Sequence, residues 1–176
     1  ILMDAIAVAA KSSYTDALKI DGIGYVNNSF YTTFKGIAVT QDENFLWRLT
    51  LPQIPVGIGY NEGVANLRFK SSDGQISYDC VPLSINQQGF TATMRTVPNK
   101  ILYYTQGTYC YALSPIMLSQ YTASVTMISG GDSTNLDSEL NVPSDYFPII
   151  QDYVMKQLLL ERAQPQDAAS DGVDRK

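Results

Sequence analysis

The sequence predicts an α+β protein in which an antiparallel β domain is flanked by an N-terminal and a C-terminal helix that pack together. Apolar residues recur at helical spacing near both ends of the chain. The middle consists of short runs rich in Val, Ile, Thr, Tyr and Phe, broken by Gly, Pro, Asn and Asp. Two of these runs are joined by an Asp-Gly pair, which is a strong hairpin signal. We interpret residues 1–163 as a single domain, since the chain is long enough for one ordinary core.

The first predicted element is an amphipathic helix over residues 3–19. Leu2, Ile6 and Tyr14 share one face with several alanines, and Gly22 follows as a stop signal. Because alanine side chains are small, they allow a neighbouring helix to approach closely. This face therefore suits packing against the C-terminal helix or against another subunit, with ordinary core packing as the default.

The β domain is predicted over residues 30–128. Turn signals at residues 72–75 and 105–108 each join two strands into a hairpin. Val125 and Met127 alternate with polar residues, so we expect them on one buried face of the last strand. The predicted strands are residues 30–40, 45–51, 66–71, 76–82, 101–104, 109–113 and 121–128.

The clearest helix is predicted over residues 144–163, with Ser144 or Asp145 as its cap. Its apolar face is so wide that we expect burial over most of its circumference. Phe147, Met155, Leu159 and Leu160 form a second apolar strip beside the main stripe. We expect the N-terminal helix to cover part of this second strip, and another subunit or a partner to cover the rest. The main stripe is Tyr146, Ile149, Ile150, Tyr153, Val154 and Leu158. The residues predicted at the subunit or partner interface are Tyr146, Phe147, Ile150, Met155, Leu159 and Leu160.

The last segment, residues 164–176, is acidic, contains Pro165 and is nearly free of large apolar groups. Such a segment cannot bury enough apolar surface to order itself. We therefore predict a flexible tail that becomes ordered only on a partner.

The composition favours an extensive interface without excluding other uses of tyrosine. Charged residues make up 16% of the chain, where about 25% is usual, and there are 12 Tyr. Tyr suits a protein interface, a carbohydrate platform or a β-rich core equally well. The net charge of −5, without a Lys/Arg cluster, disfavours nucleic-acid binding along the whole chain. The net charge does not exclude a local basic lining that contacts DNA.

We find no arrangement of residues that carries a known chemistry, and we expect a protein that is not an enzyme. The chain contains no His, so the common nucleophile and base pairs are absent. Cys80 and Cys110 lack metal-ligand spacing and are interpreted as buried, reduced thiols. The acids of residues 129–139 read as a surface loop, and the glycines of residues 57–63 as turn glycines. We predict no catalytic residue, no cofactor, no metal, no export signal and no membrane span.

Four stretches carry a resemblance to a known family. They are residues 128–143 (ISGGDSTNLDSELNVP), residues 145–162 (DYFPIIQDYVMKQLLLER), residues 164–172 (QPQDAASDG) and residues 50–59 (TLPQIPVGIG). Together they resemble a ring protein of crAss-like gut phages, over most of the chain from about Phe30 onward. The order of helix, β domain and helix also resembles the adaptor and tail-tube proteins of other short-tailed phages, which is a likeness of fold alone.

The resemblance implies a structural virion protein of the head–tail connector. The chain would form a homo-oligomeric ring whose symmetry follows the portal, which we expect to be twelvefold. Its partners would be the portal and further ring or tail proteins, with non-specific contact to DNA in the channel. Assembly would take place in the host cytoplasm and the final location would be the portal vertex of the virion. The alternative function is that of a carbohydrate- or cell-surface-binding β domain.

Overall fold

A computed structural model describes residues 1–59, 63–83, 100–114, 116–128 and 142–163 of the chain. The predicted acidic loop at residues 129–139 and the tail at residues 164–176 lie outside the described ranges. The mixed α+β class is confirmed, with two helices and seven strands in the described part. In chain order these are α1 (Leu2–Asp21), β1 (Tyr31–Gln41), β2 (Trp47–Thr50), β3 (Val64–Ser71), β4 (Ser77–Pro82), β5 (Ile101–Gln106), β6 (Tyr109–Leu113), β7 (Tyr121–Ile128) and α2 (Phe147–Ala163).

Helix α1 runs slightly beyond its predicted limits at both ends. It ends at Gly22, which has a φ of 71° and donates its backbone N–H to the carbonyl oxygen of Leu18 at 3.1 Å. A left-handed residue after the last turn is the commonest way to satisfy a free helix carbonyl, and glycine takes this conformation without steric cost. The stop predicted from the sequence is therefore confirmed.

Both predicted hairpins are present. Strands β3 and β4 pair in antiparallel fashion, with Phe69 opposite Tyr78. Their turn is held by Asp73, whose carboxylate accepts from the Ser71 hydroxyl and from the Gln75 backbone N–H. These hydrogen bonds hold the pKa of Asp73 below its ordinary value. Strands β5 and β6 form the second hairpin, as expected from residues 105–108.

The seven strands close into a barrel in the order β1, β2, β6, β5, β4, β3, β7, and β7 pairs again with β1. The prediction of a wholly antiparallel domain is wrong at one seam. Strands β4 and β5 run parallel, with Cys80 opposite Ile101 and Val81 opposite Leu102. Parallel neighbours cannot be joined by a tight turn, and residues 84–99, which connect β4 to β5 in the chain, lie outside the described ranges. Closure also removes the exposed strand edges that an open sheet would present.

Two irregularities in the strand pairing bend the sheet. The register of β1 against β7 shifts between Phe34 and Ile37, where Gly36 has a φ of 72°. The register of β3 against β7 shifts between Val64 and Asn66. Bulges of this kind increase the local twist and bend a strand, which a closed barrel requires.

The interior of the barrel is filled by residues that alternate along each strand. On β7, for example, Ala123, Val125 and Met127 are at most 1% exposed, as predicted for the last two. The buried residues of this barrel core are Leu49, Leu51, Val64, Leu67, Phe69, Ile101, Tyr103, Cys110, Ala112, Leu118, Ala123, Val125 and Met127.

A second core joins the two helices to the barrel, near the point where β7 ends and β1 begins. The predicted packing of the helices against each other is confirmed, and the small side chains of α1 lie in the contact. Phe30 is fully buried between the helices and the barrel, with its ring centroid 5.5 Å from that of Tyr146. The buried residues of this helix core are Ala5, Ile6, Ala9, Ala10, Val26, Phe30, Ile128, Val142 and Ile150.

Candidate interaction surfaces

The described ranges contain no group of three acidic or cysteine side chains placed to hold a metal ion. Asp132, Asp137 and Glu139 belong to the loop that lies outside those ranges. In the glycine-rich stretch, Gly63 is followed directly by strand β3. A phosphate loop needs a helix N-terminus at that place, so the interpretation as turn glycines fits the fold. The absence of catalytic residues, cofactor and metal stays a prediction.

The two cysteines lie in the barrel. Cys110 belongs to the barrel core, Cys80 packs against it, and both are free thiols. Burial raises the pKa of the Cys80 thiol to about 12, and the neighbouring Asp79 carboxylate adds to the rise. Burial also raises the pKa of the Cys110 thiol, with a smaller contribution from Cys80. Because the thiolate is the reactive form, both groups should be inert in the folded chain near neutral pH.

We expect the free energy of unfolding to fall as the pH rises above 9, because of these thiols. In the unfolded chain they lose protons at their ordinary pKa, whereas in the folded chain they stay protonated. The unfolded state then binds fewer protons, and stability drops with pH by on the order of 1 kcal/mol per thiol by about pH 10. Urea unfolding at neutral and alkaline pH measures the effect.

The matched control is the Cys80→Ala/Cys110→Ala double variant, which should lose most of this pH dependence. An equally steep loss of stability in the double variant would assign the effect to other groups. Alkylation of the unfolded, unreduced wild type should modify both thiols, and a chain with no modified thiol would contradict the free-thiol assignment.

Helix α2 packs against the rest of the chain through one side only. Ile150 is 5% exposed in the helix core, and Tyr153 and Val154 pack against that core. Tyr146, just before α2, is half-buried against Phe30. This side is the main stripe predicted from the sequence.

The six residues predicted at an interface divide into two groups. Ile150 is buried in the helix core, so a partner cannot reach it, and Tyr146 is half-buried against the same core. The other four are exposed: Phe147 by 39%, Met155 by 57%, Leu159 by 59% and Leu160 by 59%. Their contact with another subunit stays a prediction.

The exposed apolar surface of α2 differs from the prediction in two respects. Leu158, predicted in the buried stripe, is 43% exposed, since burial on α2 ends at Gln157. Consecutive helical residues point about 100° apart, so Leu158, Leu159 and Leu160 face three directions. We call these three residues the leucine cluster. The small side chains of helix α1 share the helix core with Ile150. The second strip stays exposed, contrary to expectation.

A second surface lies on the outside of strands β2, β6 and β5. Arg48 lies opposite Tyr111, which lies opposite Tyr104 on the next strand. The Tyr104 and Tyr111 rings are stacked, with centroids 5.1 Å apart. The Arg48 guanidinium carbon is 4.6 Å from the centre of the Tyr109 ring, and its Nε is buried without a hydrogen-bond partner. We call Arg48, Tyr104, Tyr109 and Tyr111 the tyrosine face.

A third feature is the tip of the β1–β2 hairpin, where sequence reasoning placed Phe45 in a strand. The structure places it in the turn, with a φ of 61° and a side chain 79% exposed. The Asp42 carboxylate accepts from the backbone N–H groups of Asn44 and Leu46 at 2.9 and 2.8 Å. The Gln41 amide donates to the Phe45 carbonyl oxygen at 3.0 Å. A bulky residue in this left-handed conformation costs about 1 kcal/mol relative to glycine.

The signal for this tip was present in the sequence, since Asp42 can accept a hydrogen bond from the backbone two residues on. Because Phe is common in strands, the sequence pattern instead favoured a strand that begins at Phe45.

Neither of the two helices is long and apolar enough to cross a bilayer, within the described ranges. No known family model matches the chain, and no curated protein matches its sequence.

Proposed function

We propose that this chain is a structural subunit of a tailed phage, which assembles with copies of itself into a ring of the head–tail connector. The ring would stack on the portal or on a neighbouring ring and surround the DNA channel. The observation that carries this proposal is the leucine cluster at the end of α2, whose three side chains are each at least 43% exposed. The resemblance to ring proteins of crAss-like phages suggests that the surface which covers the cluster belongs to another subunit of a ring.

Three consecutive exposed leucines have a physical consequence. Burying a fully exposed leucine gains about 1.5–3 kcal/mol, and these three, which are about half exposed, can gain roughly half of that each against an apolar surface. Because the side chains point in three directions, a flat contact covers only part of them. When a subunit inserts the end of its α2 between two neighbours, more of the leucine surface is covered than in a flat contact. That arrangement suits a ring of repeated subunits.

The arrangement of the chain also suits this role. In chain order the barrel stands between two helices, and these helices pack against each other, as expected for the adaptor-like class proposed from the sequence order. In that class the terminal helices pack together and the β domain faces neighbouring subunits. We further propose that any contact with DNA in the channel is non-specific, since it would come from isolated cations repeated around the ring.

Native mass measurement of the purified chain tests the proposal. We expect a discrete closed species, with the mass of twelve 19.4 kDa chains if the ring follows a twelvefold portal. Proteomics of purified virions should detect the chain in fixed ratio to the portal. A chain that stays monomeric at high concentration and is missing from virions would contradict the proposal.

The tyrosine face favours a second candidate function, binding of a carbohydrate or cell surface. The stacked rings of Tyr104 and Tyr111 offer flat apolar surface with hydroxyls at the rim. Glycan binding that disappears in a Tyr111→Ala variant, while the ring still forms, would favour this second function for the face.

A further inference from the structure

Phe45 combines three properties that rarely occur together. Its backbone has a positive φ of 61°, its ring is 79% exposed, and the turn that holds it is fixed by several hydrogen bonds. In addition to the side-chain bonds, the Asp42 backbone N–H donates to the Leu46 carbonyl at 2.9 Å, and the Phe45 N–H to the Asp42 carbonyl at 3.1 Å. A strained residue persists where its surroundings fix it, and such positions cluster at sites of binding. The hairpin therefore presents a rigid aromatic side chain to whatever lies beyond its tip.

A depression that could receive such a side chain lies at the other end of strand β1. It is open, has a volume of about 590 Å³, and is lined by Tyr25, Val26, Tyr31, Ala65 and other residues. Its lining is more apolar than polar. Next to it along the chain, Ile23 is 70% exposed. We call this feature the Tyr25 depression.

The two features cannot meet within one chain. Thr33 lines the depression, and about 25 Å of strand separates it from Gln41, at the base of the hairpin that carries Phe45. Two complementary features at opposite ends of one barrel fit a head-to-tail contact between copies. Such a contact uses two different surfaces and can repeat until a ring closes.

We propose that Phe45 of one copy inserts into the Tyr25 depression of the next copy. This inference rests on the proposed function, because it specifies a contact between subunits of the ring. The ligand of the depression is an aromatic side chain on a hairpin tip, supplied by a second copy of this chain. Thr33 and Thr126 in the depression offer hydroxyls to the polar backbone of the incoming turn. These two hydroxyls hydrogen-bond each other at 2.8 Å, which leaves one proton of the pair and the remaining lone pairs for the incoming turn.

The first test is Phe45→Gly, because glycine adopts a positive φ freely. The variant should melt at the same temperature as the wild-type monomer or higher, whereas assembly should require at least a tenfold higher concentration. Loss of assembly without loss of stability is the result that a merely structural Phe45 would not give. A Phe45→Gly chain that assembles like wild type would overturn the proposal.

The second test uses Ala65→Arg, which fills the depression from an exposed position. Alone, this variant should also fail to assemble. Mixed in equal amounts, Ala65→Arg and Phe45→Gly should form a heterodimer by native mass spectrometry, since the pair retains one intact Phe45 and one intact depression. A mixture that contains monomers only, under conditions where wild type assembles, would overturn the pairing.

Assembly of the wild type distinguishes failure of the Phe45 contact from failure of the proposed ring. If wild type assembles and each variant, on its own, assembles as wild type does, only the Phe45 contact is wrong. If wild type never associates under any condition, the proposed ring fails and this contact fails with it.

Discussion

Leu159→Asp should prevent ring formation while leaving the barrel folded. Leu159 is 59% exposed in the single chain, so the substitution should lower the stability of the monomer by only about 1 kcal/mol, through the lower helix propensity of Asp and its charge near the C-terminus of α2. In a desolvated contact, by contrast, an unpaired carboxylate costs on the order of 3 kcal/mol or more. That amount weakens each subunit contact by at least about a hundredfold. Because every contact in the ring carries the same change, we expect only monomers.

Size exclusion with light scattering measures assembly of this variant, and far-UV circular dichroism measures its fold. The matched control is Thr15→Asp, which introduces the same charge on the exposed side of α1. It should assemble like wild type. Wholesale unfolding of Leu159→Asp would place the residue in the monomer core. Normal assembly would show that the leucine cluster faces solvent.

Local structure could be predicted from the sequence because its signals are local. The Asp-Gly pair at residues 73–74 and the glycine at position 107 fix turns through backbone conformations that other residues adopt at a cost. Gly22 ends α1 for the same reason. The alternation of Val125 and Met127 identifies the buried face of β7, since the side-chain period of a strand is two.

Barrel closure could not be predicted in this way. The parallel pairing of Cys80 with Ile101 and the return of β7 to β1 join residues far apart in the chain. Their energy comes from tertiary packing of the barrel core, which leaves no turn signal in the sequence. The two hairpins predict antiparallel pairing throughout the sheet, and this expectation fails between β4 and β5.

The candidate contact surface of α2 was predicted in part. Helical periodicity places the apolar residues Ile150 and Leu158 on the same face of α2, so it predicts the same burial for both. Only the packing against α1 distinguishes them, since one is 5% and the other 43% exposed. Phe45 was missed for a different reason, because its exposure follows from a turn conformation that its residue type does not favour.

Phe30→Ala should lower the free energy of unfolding by about 3–5 kcal/mol, the usual cost of removing a fully buried phenylalanine ring. Phe30 precedes β1 directly, and its neighbour in the helix core, Ile128, is the last residue of β7. Phe30 and Ile128 thus contact the helices and are also continuous in the chain with strands β1 and β7 of the barrel. We therefore expect helices and barrel to unfold together.

Urea unfolding of the Leu159→Asp monomer background gives this measurement, because assembly would otherwise make stability depend on concentration. Fluorescence of Trp47, the one tryptophan, reports on the barrel, and far-UV circular dichroism reports mainly on the helices. The matched control is Phe45→Ala, the same truncation at a 79% exposed position, which should change stability by less than about 0.5 kcal/mol. Phe30→Ala should shift both probes to the same lower midpoint. If circular dichroism shifts while Trp47 fluorescence keeps its wild-type midpoint, the helix core is a separate cooperative unit, and the ring contact at the end of α2 is carried by a part that can detach from the barrel.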